Sequence, residues 1–210
     1  MIHEILPVGL LACNCSILGD EASGEALVID PGDQADELLA ILARHRLRVV
    51  AIVVTHAHLD HIGGAYELKA STGAPVLLHP NDLELYAQLE VQAAWLGLET
   101  PRRAAIDLAA SEGQKLRVGV TELEILHTPG HTQGSISLWI PAEKKLIAGD
   151  TLFQDSIGRT DLPGGDHRQI LRSIRDKYFP LPDETIVIPG HGPATTLGRE
   201  KEFNFFLQRL

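Results

Sequence analysis

Residues Val53–Gly64 read VVTHAHLDHIGG, and the rest of the chain is read outward from them. The stretch continues a β-branched run, VVAIVVT (49–55), of the kind that forms a strand buried on both faces. His56, His58, Asp60 and His61 then fall within six residues at the strand's C-terminal end. Imidazole and carboxylate are natural ligands of zinc and related transition metals. On a tight turn, His56 and His58 can point to one spot, and Asp60 and His61 to a neighbouring one. Crowding these groups at the end of a buried strand costs several kcal/mol unless something satisfies them, and a bound metal does so. One turn cannot close either site, so further donors must come from elsewhere.

Three later strands each end on a donor in a glycine-rich turn. HTPGHTQG (127–134) offers His131, IAGDTLF (147–153) offers Asp150, and IPGHGP (188–193) offers His191. Taken singly, His131 or His191 would be unremarkable; three strand–turn–donor units together with the first turn are not. His3, His45, His79, His127 and His167 read as surface or satisfied core histidines.

Around these turns the pattern mixes strands and helices. EALVIDPG (25–32) reads as a strand stopped by Pro31-Gly32, and DQADELLAILARHR (33–46) as a helix with Asp33 as its N-cap. HIGGAYELKASTG (61–73) reads as a helix ending at Gly73, APVLLHP (74–80) as a strand, and NDLELYAQLEVQAAWLG (81–97) as a helix. LETPRRAAIDLAASEG (98–113) reads as a loop. TELEILHTPG, SISLWI, KLIAGD and ETIVIPGHG supply further strands, DHRQILRSIRDKYF (166–179) a helix, and GREKEFNFFLQRL (198–210) a terminal helix. With no repeat or linker-like tract, residues 1–210 are expected to form a single α/β or α+β domain in layers.

Composition narrows the function. The 210 residues carry a formal net charge of −10, which disfavours a nucleic-acid partner. No apolar run approaches a membrane span, and the N-terminus lacks a signal-peptide pattern. Cys13 and Cys15, one residue apart, are too close for a relaxed disulfide and read as small buried apolar side chains. Two unpaired thiols suit a reducing compartment, so a cytoplasmic location is expected.

THAHLDHIGG, HTPGHTQGS, AGDTLF and PGHGP, in that order, resemble the successive motifs of the metallo-β-lactamase fold superfamily. The resemblance implies a four-layered α/β/β/α sandwich with the metal site at one edge of two facing sheets. It implies a first metal on His56, His58 and His131, a second on Asp60, His61 and His191, and Asp150 bridging them. True β-lactamases of this fold lack that bridging aspartate. Asp150 and the segment SIGRTDLPGGD (156–166) are instead similar to glyoxalase II, the hydroxyacylglutathione hydrolases. The short tail after His191 lacks their helical extension, so the resemblance is to the short glyoxalase II-like proteins.

The implied chemistry is hydrolysis of a small-molecule thioester or ester by a hydroxide bridging two divalent ions. Zinc is expected, and iron or manganese also accept this ligand set. Asp60 and Asp150 would be catalytic as well as ligating. Arg159 could hold a substrate carboxylate, although pairing with Asp161 or Asp166 is the plainer role. Phe153, with Trp95 and Leu96, could line a pocket, although core or lid packing is plainer for each. The alternatives are a persulfide dioxygenase with one iron on His56, His131 and Asp150, a hydrolase of another ester or a lactone, and a metal-supported binding protein. The expected assembly is a monomer or small homo-oligomer.

Overall fold

The computed structural model describes residues 1–208 and 210. Arg209, inside the expected terminal helix, lies outside the described residues. Two compact units emerge, one of Met1–Ala110 with Arg117–Thr121 and one of Ser111–Leu116 with Glu122–Leu210.

In the first unit, β1 (Ile2–Val8), β2 (Cys13–Asp20) and β3 (Glu25–Ile29) form an antiparallel meander. The sheet continues in parallel through β4 (Arg48–Val53), β5 (Val76–Leu78) and β6 (Leu108–Ala109). Parallel neighbours need crossovers. Helix α1 (Ala35–Arg44) joins β3 to β4; α2 (Leu59–Ile62) and α3 (Ala65–Thr72) join β4 to β5; α4 (Leu83–Ala87) and α5 (Leu89–Leu96) lie between β5 and β6. Ile52, Val54, Val76 and Leu78 pack with Leu38, Leu42 and Leu68 in one apolar core. Each such side chain contributes roughly 1.5–3 kcal/mol on burial. Cys13 and Cys15 are buried in β2.

Four local expectations change, the first being that the helix expected over 81–97 is two, α4 and α5, separated at Gln88. Gln34, not Asp33, is the N-cap of α1. Gln34 turns left-handed at φ 54°, so the Asp33 carboxylate accepts from the Gln34 amide instead of capping the helix. The helix expected over 61–73 is two, α2 and α3, because Gly63 and Gly64 pack against the backbone of Pro31–Gly32, where a Cβ would be 2.6–2.8 Å from a carbonyl oxygen. The loop expected over 98–113 contains β6, a two-residue edge strand held by pairing with β5.

The second unit carries most of a sheet of order β14-β13-β10-β9-β8-β7. Its strands are β7 (Lys115–Val118), β8 (Thr121–His127), β9 (Ile136–Ile140), β10 (Lys145–Gly149), β13 (Ile186–Pro189) and β14 (Thr195–Thr196). A small hairpin, β11 (Leu152–Phe153) with β12 (Ser156–Ile157), follows β10. Asp166 caps α6 (His167–Ser173) by accepting from the Gln169 amide, and the helix runs on as a π-helical turn, Ile174–Tyr178. The terminal helix α7 (Leu197–Phe203) is capped by Thr196 and ends at Asn204, short of the expected span. Asn204 leaves the helix because its amide binds Ser156 O and Glu200 Oε2. Leu126, Leu146, Ile170, Ile174, Tyr178 and Val187 form this unit's core. Among the described residues, no helix is long and apolar enough to cross a membrane.

Candidate metal centre

In the first unit the donors sit where β3 and β4 end side by side, Ile29 opposite Val53. Asp30 follows β3 in a left-handed turn, φ 54°, that aims its carboxylate across to the neighbouring strand end. There it accepts from the Thr55 amide at 2.7 Å and from Thr55 Oγ1 at 2.7 Å, and lies 2.9 Å from His61 Nδ1. A carboxylate partner places the His61 proton on Nδ1 and leaves Nε2 as the basic nitrogen. Thr55 Oγ1, having given its hydrogen to Asp30, accepts from His56 Nδ1 at 3.0 Å, which fixes the same tautomer on His56.

The donors converge. The His56 ring lies 4.8 Å from the His58 ring, edge-on, and 4.0 Å from that of His61, centroid to centroid. Asp60 Oδ2 is 3.7 Å from His61 Nε2. Gly32 makes this packing feasible, since a Cβ there would lie 1.6 Å from the Asp60 carbonyl oxygen. Cys13 Sγ touches His61 Nδ1 at 3.4 Å, and burial pushes that thiol up to about 12.

The second unit holds the other three. The parallel pairing of β10 with β13 sets Gly149 opposite Pro189, and Gly190 N–H donates to Gly149 O. Asp150 and His191 therefore leave adjacent strand ends. Asp150 Oδ2 lies 3.6 Å from His191 Nε2 and 3.6 Å from His131 Nε2. Both separations exceed a hydrogen bond. They are close to the roughly 3.4 Å between two donors held about 2.1 Å from one tetrahedral ion. His131 donates from Nδ1 to the Arg159 carbonyl at 2.8 Å, so its Nε2 is again the basic nitrogen. In each unit the donor set thus fits a transition metal: Nε2 nitrogens with oriented rings, and carboxylate oxygens beside them.

Of the expected pocket residues, Phe153 on β11 stands 6.4 Å from the His191 ring. Arg159 is engaged in a two-pronged pair with Asp161, both contacts at 2.8 Å. That pairing holds the Asp161 carboxyl down at about 2. Trp95, at the end of α5, is 64% exposed. Four of the remaining histidines have ordinary partners: His3 meets Ser16, His45 meets Glu4, His79 accepts from the Asn81 amide, and His127 meets Gln133 O; His167, at the start of α6, is exposed.

Sequence reading missed Asp30 and Thr55, which orient two of the imidazoles. Their signal was present, as an acidic residue closing one buried strand and a hydroxyl closing the next.

A family model described as the metallo-beta-lactamase superfamily matches residues 8–191. The hydroxyacylglutathione hydrolase GloC of Haemophilus influenzae is 41% identical, over 97% of each chain. The crystal structure of BLEG-1 B3 metallo-beta-lactamase matches with a TM-score of 0.91 at 38% identity, over 98% of this chain and 99% of that one. The crystal structure of TTHA1623 in a di-iron-bound form matches with a TM-score of 0.89 at 38% identity, over 97% and 100%. This chain, with its mixed α/β fold and its histidine and aspartate clusters, belongs to the metallo-beta-lactamase superfamily and is a metallo-hydrolase of that kind.

Proposed function

We propose that the protein is a binuclear metallohydrolase that cleaves thioesters of the hydroxyacylglutathione type. His56, His58 and His131 hold one ion; Asp60, His61 and His191 hold the other; Asp150 is shared between them. Zinc is the proposed metal, with iron or manganese compatible with the same donors. The observation that carries the reading is Asp150, whose Oδ2 stands at one distance, 3.6 Å, from the Nε2 atoms of two histidines. The similarity to GloC supports the substrate class.

Divalent ions bound there supply an acidified water and a Lewis acid for the carbonyl. The protein's own residues do the rest. Asp30, Thr55 and the Arg159 carbonyl fix the tautomers of His61, His56 and His131, so that each presents Nε2. Asp60 and Asp150 accept hydrogen bonds from the attacking water and orient it. Phe153, beside His191, faces the acyl part of the substrate. Arg159 binds a substrate carboxylate in exchange for Asp161. The two buried, unpaired thiols suit a reducing compartment, and we place the protein in the cytoplasm.

The test is hydrolysis of S-lactoylglutathione by metal-loaded and chelator-stripped protein, with H56A and D150A alongside. Turnover is expected to require metal and to fall about 100-fold or more in each folded variant. Undiminished turnover by stripped protein would overturn the mechanism. A metal-replete protein that leaves the thioester intact but opens a β-lactam, or consumes oxygen with a glutathione persulfide, would overturn the substrate class.

A further inference from the structure

We infer that Gln92 is a positioning residue for His58, and that with Asp82 it fixes the backbone of the ligand turn. The inference rests on the proposal that His56 and His58 are metal ligands. Ala57 separates them, and both of its backbone groups are taken by side chains from the 81–97 stretch, which contributes no ligand. Its N–H donates to Asp82 Oδ2 at 2.9 Å, and its carbonyl accepts from Gln92 Nε2 at 3.2 Å. Gln92 Oε1 accepts from the Leu59 N–H at 2.9 Å.

Two peptide planes meet at the His58 α-carbon, 57–58 and 58–59. One side-chain amide holds both, through the Ala57 carbonyl and the Leu59 N–H. The direction of a side chain follows from the planes on either side of its α-carbon, so Gln92 sets where His58 points. The next plane back, 56–57, is held by Asp82. Gln92 is anchored in turn, its Nε2 also donating to Leu85 O at 3.1 Å. His58, the N-cap of α2, makes no side-chain cap bond, so the orphan Leu59 N–H of the first turn depends on Gln92. Asp82 and Gln92 are 1% and 8% exposed, so water does not readily replace either.

The test is metal affinity, measured by competition with a chromophoric chelator on wild type, Q92M, Q92E and V91A. Q92M matches the side-chain length and lacks every hydrogen bond; it is expected to lose about 10–100-fold in affinity. Q92E keeps the acceptor for the Leu59 N–H but sets an oxygen against the Ala57 and Leu85 carbonyls, and is also expected to lose affinity by more than twofold. V91A, the exposed neighbour, is expected to match wild type. A folded Q92M that holds metal within about twofold of wild type would overturn the inference, and if Q92M does not fold, the same result from Q92E would do so. The readout involves no substrate, so failure of the thioester assignment leaves it in force. A wild type that takes up no metal would overturn both.

Discussion

Asp30 does three things at one carboxylate. It accepts the Thr55 amide and the Thr55 hydroxyl, and it lies 2.9 Å from the His61 ring nitrogen. All three residues are buried, so water cannot substitute when the carboxylate is removed. D30A is expected to cost about 2–4 kcal/mol in urea unfolding, because each buried donor left without its acceptor costs about 1–3 kcal/mol. The variant should also weaken metal binding, since His61 and His56 lose the chain of hydrogen bonds that fixes their tautomers. A D30A protein as stable as wild type would show that the pairing contributes nothing net. The contrast with Arg159 and Asp161 is one of burial. That pair is geometrically good but side-chain exposures of 59% and 69% leave it screened by water.

At the scale of elements, α6 serves the loop that carries His131. Ser173 Oγ donates to Pro129 O at 2.7 Å, the Asp166 amide donates to Gly130 O, and Gln133 Nε2 donates to Gln169 Oε1. Gly130 is the close approach, at φ +136°, where a Cβ would lie 2.2 Å from Ile170 N. G130A therefore strains the backbone and pushes the loop off the helix; a loss of about 2 kcal/mol or more is expected by chemical denaturation. An unchanged midpoint would mean that the loop is not seated on α6 as described. The π-helical turn after α6 ends on Tyr178, whose hydroxyl lies 2.6 Å from Ser137 Oγ. Ser137 in turn meets Thr128 Oγ1, which lies 3.1 Å from Thr151 Oγ1. Buried hydroxyls thus brace the residues beside Asp150 and the start of the His131 loop. Burial pushes the Tyr178 phenol up to about 12, so the network stays neutral.

For the molecule as a whole, the proposed ligands are spread along the chain from His56 to His191. Metal binding on this proposal stabilises the native state. At an ion concentration about 100 times the dissociation constant the gain is about 2.7 kcal/mol. For a chain of this length that raises the melting temperature by roughly 5–10 °C. Calorimetry with and without chelator is expected to show that shift in the whole transition. A transition that ignores chelator would separate metal binding from the stability of the fold.

The sequence by itself determined the candidate donors and the strands that end on them. Both signals are local. A β-branched run buries itself whatever follows, and a His-x-His-x-Asp-His cluster at its end carries its chemistry in its composition. Gly73 closes its helix for an equally local reason, adopting the left-handed turn that a side chain resists. The tertiary structure alone decided what orients the donors. Asp30 and His61 are 31 residues apart, Gln92 and Leu59 33, and Gln92 and Ala57 35. No periodicity in a single segment constrains bonds of that span. The split between α2 and α3, and the shift of the α1 cap to Gln34, have the same origin. Each was set by backbone from a connection elsewhere in the first unit: Pro31–Gly32 beside Gly63 and Gly64, and the Gly9 amide on the Gln34 side chain. The candidate donors are written in short-range pattern, whereas their geometry depends on hydrogen bonds that exist only once distant strands lie side by side.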